Sequence, residues 1–89
     1  LTTIQKIVDV IESDFKSSIK YHQSVIKEYP GFSLAHTRLA NSYYKLGNLK
    51  LAKKHWQTAL KLDPKNSDLI TILSRIQNNE LVEVELIKD

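Results

Sequence analysis

The sequence predicts an all-α fold of antiparallel helix–turn–helix units that repeat along the chain. Two observations predict it: the chain matches itself at an offset of 34 residues, and within each unit apolar residues recur at helical steps. Pro30 and Pro64 stand at that offset, as do Phe15 and Leu49, Ser18 and Ala52, His22 and Trp56, Val25 and Ala59, and Leu39 and Leu73. Small residues meet small ones, and large apolar residues mostly meet large ones.

The second unit is the clearest. In "SLAHTRLANSYYKL", Leu39, Ala40, Tyr43 and Leu46 form one helical stripe, and Ser33 is placed to cap the first turn. Gly47-Asn48 supplies a turn, because both residues tolerate positive φ. Leu49, Ala52, Trp56, Ala59 and Leu60 make the next stripe, which stops at Asp63-Pro64 because a residue before proline is pushed away from helical geometry. Ser67 is the expected cap of a further helix with Leu69, Ile70, Leu73 and Ile76 on its face.

The first unit is out of register at the strict offset, with Gln5 opposite Leu39. Removing two residues from its turn places Ile4, Ile7, Val8 and Ile11 opposite His36, Leu39, Ala40 and Tyr43, so "IESDF" reads as a contracted counterpart of "YYKLGNL". The expected order is helices over 2–12, 15–28, 33–46, 49–62 and 67–79, one domain over 1–79, then an acidic-apolar tail over 80–89. In "ELVEVELIKD" apolar and acidic residues alternate as in a strand, with no second strand evident to pair with it. A frayed tail, a helix extension and a homodimer contact through Leu81 to Ile87 all remain open.

Composition narrows the function. Eighty-nine residues suit one small domain, and 42% hydrophobic with 26% charged residues describes a globular chain. No apolar run is long enough for a membrane span. Leu1 and the absence of methionine suggest a fragment excised from a longer chain. Without cysteine there are no disulfides, thiolate metal sites or thiol nucleophile; a cytoplasmic setting fits, and so does a cysteine-free exported domain. From Arg38 to Lys65 seven basic residues face one acid, Asp63, whereas 80–89 holds four acids and Lys88. Such asymmetry can steer a charged partner, although a lysine-rich helix face is more often simply solvated.

Residues 33–66 resemble a tetratricopeptide repeat. That family's pattern is met by Leu39, Ala40, Tyr43, Gly47, Ala52, Trp56, Ala59 and Pro64, with a departure at His36, where tryptophan is commoner. Residues 2–32 look like a degenerate copy, and 67–79 like the first helix of a third copy that acts as a cap. The resemblance implies a short right-handed α-solenoid and a non-catalytic module that binds a peptide or partner segment in a concave groove. Carried over by matched position, that groove shows Gln5, Asp9 and Glu12, then Thr37, Arg38, Asn41, Tyr44 and Lys45, then Thr71, Arg75 and Asn78. Tyr44 offers an aromatic surface with a polar tip, and Asn41 can give and accept hydrogen bonds. A structural spacer or self-association unit of a larger protein is the alternative function.

Other chemistries find little support. A subgroup of the family clamps the C-terminal carboxylate of heat-shock chaperones, but here the corresponding places hold Gln5, Asp9, Arg38, Asp68 and Ile72, and Asp9 and Glu12 would repel a carboxylate. His22 falls where a core aromatic belongs, His36 between copies and His55 on an outer helix face, none paired at ligand spacing. A buried His22 or His36 would make stability fall at acidic pH. No phosphate loop or serine elbow points to an enzyme, and no cofactor is implied. Single-stranded RNA is the weaker alternative, since Lys50, Lys53, Lys54 and Lys61 lie toward the convex side.

Overall fold

The computed structural model describes residues 3–78, and these form four α-helices with no strand among them: α1 (Thr3–Glu28), α2 (Ser33–Lys45), α3 (Leu49–Leu62) and α4 (Ser67–Gln77). Successive helices pack in order, α2 on α1, α3 on α2 and α4 on α3. The last three agree with expectation to within the fraying of helix ends. The tail over 80–89, and with it the contact proposed through Leu81 to Ile87, lies outside the described residues.

The first unit differs. The helices expected over 2–12 and 15–28 are one helix, α1, so the described residues hold four helices and not five. The reason is local. "IESDF" contains neither glycine nor proline, and the apolar stripe runs through it unbroken, from Ile4, Val8 and Ile11 to Phe15, Ile19, His22 and Ile26. Nothing ends this helix until Pro30, before which Tyr29 leaves helical geometry while its N–H still reaches the Val25 carbonyl at 2.7 Å. At 1.5 Å per residue α1 is about 39 Å long and α2 about 20 Å, so the amino-terminal half of α1 runs past the end of α2.

The other boundaries have identifiable chemistry. After α2, Gly47 adopts φ 85°, its N–H bonds the Tyr44 carbonyl at 3.0 Å, and the Asn48 N–H bonds the Tyr43 carbonyl at 2.9 Å. These paired bonds are a Schellman motif, whose left-handed position suits glycine. Asn48 then caps α3, accepting the Leu51 N–H at 3.0 Å. The caps expected of Ser33 and Ser67 are not made. Phe32 precedes α2 without a side-chain cap, and Ser33 instead donates to the Ala59 carbonyl at 3.0 Å, tying the start of α2 to the end of α3. At α4 the cap is Asn66, one residue earlier, which accepts the Leu69 N–H at 3.2 Å.

The core sits between α2, α3 and α4. Ala40, Ala52 and Ala59 are fully buried, and so are the Trp56 and Leu69 side chains, with Tyr43, Tyr44, Leu60, Ile72 and Leu73 packed around them. Three alanines let helix backbones approach closely, and Trp56 fills the space that remains. The α1–α2 contact is more polar: the Ser42 hydroxyl donates to the Ser18 hydroxyl at 3.0 Å, and the Gln23 amide donates to the Tyr43 hydroxyl at 3.3 Å.

Two substitutions test this arrangement. Ala52→Leu is expected to overpack the α2–α3 contact and cost about 1–3 kcal/mol in thermal or chemical unfolding. Ser13→Pro lies mid-helix, where the ring would meet the Asp9 carbonyl at a cost of about 3 kcal/mol. It is expected to lower far-ultraviolet helical ellipticity, whereas a turn at "IESDF" would tolerate it without change.

Candidate functional site

α2 and α4 both lie against α3, and the side of the stack between them is concave, with Trp56 at its floor. One stretch of the hollow is lined by Ser33, Leu34, Thr37, Asn41, Asp63 and Asp68, with Ile72 and the edge of Trp56. The adjoining stretch is lined by Asn41, Tyr44, Lys45, Trp56, Ile72 and Arg75. Asn41, Trp56 and Ile72 belong to both. Asp63 caps the carboxyl-terminal end of α3 and Asp68 stands in the first turn of α4, whereas Lys45 and Arg75 lie toward the carboxyl-terminal ends of α2 and α4.

One hydrogen bond sets the chemistry of the centre. The Trp56 Nε1–H donates to Asn41 Oδ1 at 3.0 Å. An indole nitrogen can only donate, so the carboxamide oxygen must be the atom turned toward it. That bond uses the carboxamide oxygen and leaves the Nδ2 amide, a pair of donors, on an exposed residue that lines the hollow. Beside it the Tyr44 ring packs at 5.6 Å and 49° on the Trp56 ring, which fixes its position and leaves the residue half-buried. A donor pair next to an aromatic face and the apolar Ile72 suits a chain that offers carbonyl oxygens and an apolar side chain.

On the opposite side of the α2–α3 pair three rings form a column. His36 and His55 stack with centroids 6.2 Å apart, and His55 stacks on Tyr43 at 5.6 Å and 12°. The structure thus corrects the outer-face placement of His55: the side chain is half-buried between two rings. His36 Nε2 lies 3.0 Å from the Pro30 carbonyl, an acceptor only, so Nε2 is the donor there, and the buried Nδ1 has no hydrogen-bond partner. The Nδ1 of His55 is likewise buried and unpartnered. Burial, then the charge of His36 and that of Lys54, holds the His55 pKa below its ordinary value of 6.5.

The family model described as Tetratricopeptide repeat matches residues 33–66. Those residues are a tetratricopeptide repeat. Neither a curated protein nor a solved structure matches this chain. Tetratricopeptide repeats mediate protein–protein interaction and are typically non-catalytic. Among the described residues no group of three or more His, Asp or Glu side chains is placed to hold a metal, and no helix is long and apolar enough to cross a membrane.

Against this repeat frame the expected groove residues separate. Thr37, Asn41, Tyr44, Lys45 and Arg75 line the hollow. Arg38, Thr71 and Asn78 are exposed but belong to neither stretch of it. Gln5, Asp9 and Glu12 stand on the amino-terminal half of α1, where the Gln5 amide donates to Asp9 at 2.9 Å and Asp9 and Glu12 share a surface strip with Ser13 and Lys16 of the same helix. Leu34, Trp56, Asp63 and Ile72 were not foreseen as lining residues. The matched-position pattern already held a signal for Ile72, since it falls at a groove place of the third copy.

The histidine column gives a pH dependence of definite sign. His55 is held neutral in the fold and titrates near 6.5 when unfolded, so below that value the unfolded chain binds more protons than the native one. Stability is expected to be full above about pH 7, to fall as pH drops through 6.5, and to level off once the native His55 is itself protonated. Melting temperature against pH checks this, and His55→Phe, which keeps a stacked ring, is expected to flatten that part of the profile.

Proposed function

We propose that this chain is a non-catalytic interaction module that receives a peptide or partner segment in the hollow between α2 and α4. The observation that carries the reading is the Trp56–Asn41 hydrogen bond, which uses the carboxamide oxygen and leaves the amide donors of this lining residue for a ligand. There they can take a backbone carbonyl of a bound segment while Tyr44 and Ile72 meet its side chains. The charge of the lining bears on the kind of segment. Asp63 and Asp68 stand at one end and Lys45 at the other, which favours a segment with a basic group at the first end and an acidic one at the second. A terminal carboxylate held among Asp63, Asp68 and Ile72 finds no basic partner there, which argues against the chaperone-tail mode. RNA is disfavoured in the same way, because Lys50, Lys53 and Lys54 belong to α3 and none of them lines the hollow.

Asn41→Asp tests the reading cleanly. The carboxylate keeps an acceptor for the Trp56 N–H but offers no donors to a ligand. Peptides selected on the wild-type chain from a random display library are expected to lose about tenfold or more in affinity for Asn41→Asp, and for Tyr44→Ala, by calorimetric titration. Melting temperature should barely change for Asn41→Asp. Selected peptides that bind both variants with undiminished affinity would place the binding surface elsewhere.

A further inference from the structure

The helices of a repeat array alternate between two kinds, the first and second helix of each unit, and each packs on its own partner and on a neighbour. In this chain α2 and α3 are such a pair. By the 34-residue equivalence, α4 is a first helix, matched to α2, and the carboxyl-terminal half of α1 is a second helix, matched to α3. Because α1 runs straight through "IESDF", no first helix folds back onto it. Among the described residues, nothing plays second helix to α4.

Comparison of equivalent residues locates the two uncovered faces. On α2, Ala40 is fully buried and His36 is 7% exposed; their counterparts on α4, Ser74 and Ile70, are exposed, Ile70 at 47%. On α3, Ala52, Trp56 and Ala59 are buried, and their counterparts on α1, Ser18, His22 and Val25, are only half-buried. Tyr21, the counterpart of His55, is 65% exposed. These faces complement one another residue by residue. Where His36 stacks on His55 within the complete unit, Ile70 of one copy would meet Tyr21 of another. Where Ala40 and Ala52 allow close approach, small Ser74 and Ser18 stand in their places. Ser67 stands where Ser33 reaches the Ala59 carbonyl, opposite Val25.

We infer that this chain associates head to tail, α4 of one copy pairing with the carboxyl-terminal half of α1 of the next to complete a repeat unit that the described residues of one copy leave open. The occupant of both faces is a second copy of the chain. The interface is heterologous: each added copy leaves a new α4 face at one end and a new α1 face at the other, so assembly continues past the dimer. It is centred on Tyr21 of α1 and on Ile70 and Ser74 of α4, none of which lines the hollow between α2 and α4.

Sedimentation equilibrium from about 1 to about 300 µM is expected to show a mass that rises with concentration and passes beyond two chains. Tyr21→Lys spoils only the α1 face and Ile70→Lys only the α4 face. Both positions are exposed, so circular dichroism should match the wild type. Each variant alone is expected to stay monomeric or to weaken association about tenfold or more. Mixed in equal amounts, the two are expected to form a dimer and nothing larger, because one supplies an intact α4 and the other an intact α1. A wild-type chain that stays monomeric throughout, single variants that assemble like the wild type, or a mixture that gives no dimer would each overturn the inference. The last two results would also mark an isologous contact through another surface.

Discussion

The structure depends on the close approach of α2 and α3 around Trp56. Ala40, Ala52 and Ala59 have no solvent exposure and no side chain beyond Cβ, so the helix axes come near enough for one large side chain to close the gap. Trp56 does this at 1% exposure, and its indole N–H, which would be costly to bury unpaired, is satisfied by Asn41. One side chain thus joins two levels. Its ring holds the helix pair together, and its N–H orients the amide at the centre of the concave surface. Tyr44, packed on the same ring, inherits its position from it.

How much of this was legible in the sequence depended on whether the deciding physics was periodic. The stripes of α2, α3 and α4, the stop at Pro64 and the turn at Gly47 could be read directly, because each is a local rule written in residue type and spacing. The continuity of α1 was legible too, in the unbroken stripe from Ile4 to Ile26, but the repeat pattern pointed to a contracted turn instead. A repeat template describes what a unit usually does; whether a helix breaks is settled by breakers, and "IESDF" has none. Caps were misplaced by single residues at Ser67 and altogether at Ser33, since an asparagine one position earlier caps as well as a serine, and since a hydroxyl can be drawn to a carbonyl on another helix.

The site was legible by halves for the same reason. Of the matched positions, Thr37, Asn41, Tyr44, Lys45 and Arg75 line the hollow, and they lie on α2 and α4. Matching by position did not show that Gln5, Asp9 and Glu12 stand apart, because that follows from a turn that fails to form. The orientation of the Asn41 amide and the ring column through His55 are products of contact between helices, and no periodicity along one helix encodes them. His55 illustrates the point: on its own helix it looks like an outward residue, yet His36 and Tyr43 from α2 enclose it.

A stacked array gains stability mainly at the surfaces between its helices, and a short array has few of them. Among the described residues only α2 and α3 have helices on both sides, and burial follows that count: the alanines and Trp56 of the inner pair are closed, and the equivalent residues of α1 and α4 are half-buried or exposed. On both outer faces of the described residues an apolar or aromatic side chain stands exposed, Ile70 on α4 and Tyr21 on α1. A cap would set charged or polar residues at the places matched to the core, but α4 keeps Ile70 there, and α1 carries Tyr21 and Val25. Polar capping and association are alternative solutions to the same problem, and the exposed Ile70 and Tyr21 favour the second. In the proposed head-to-tail association those two faces cover one another, and part of the stability available to the chain then lies between copies.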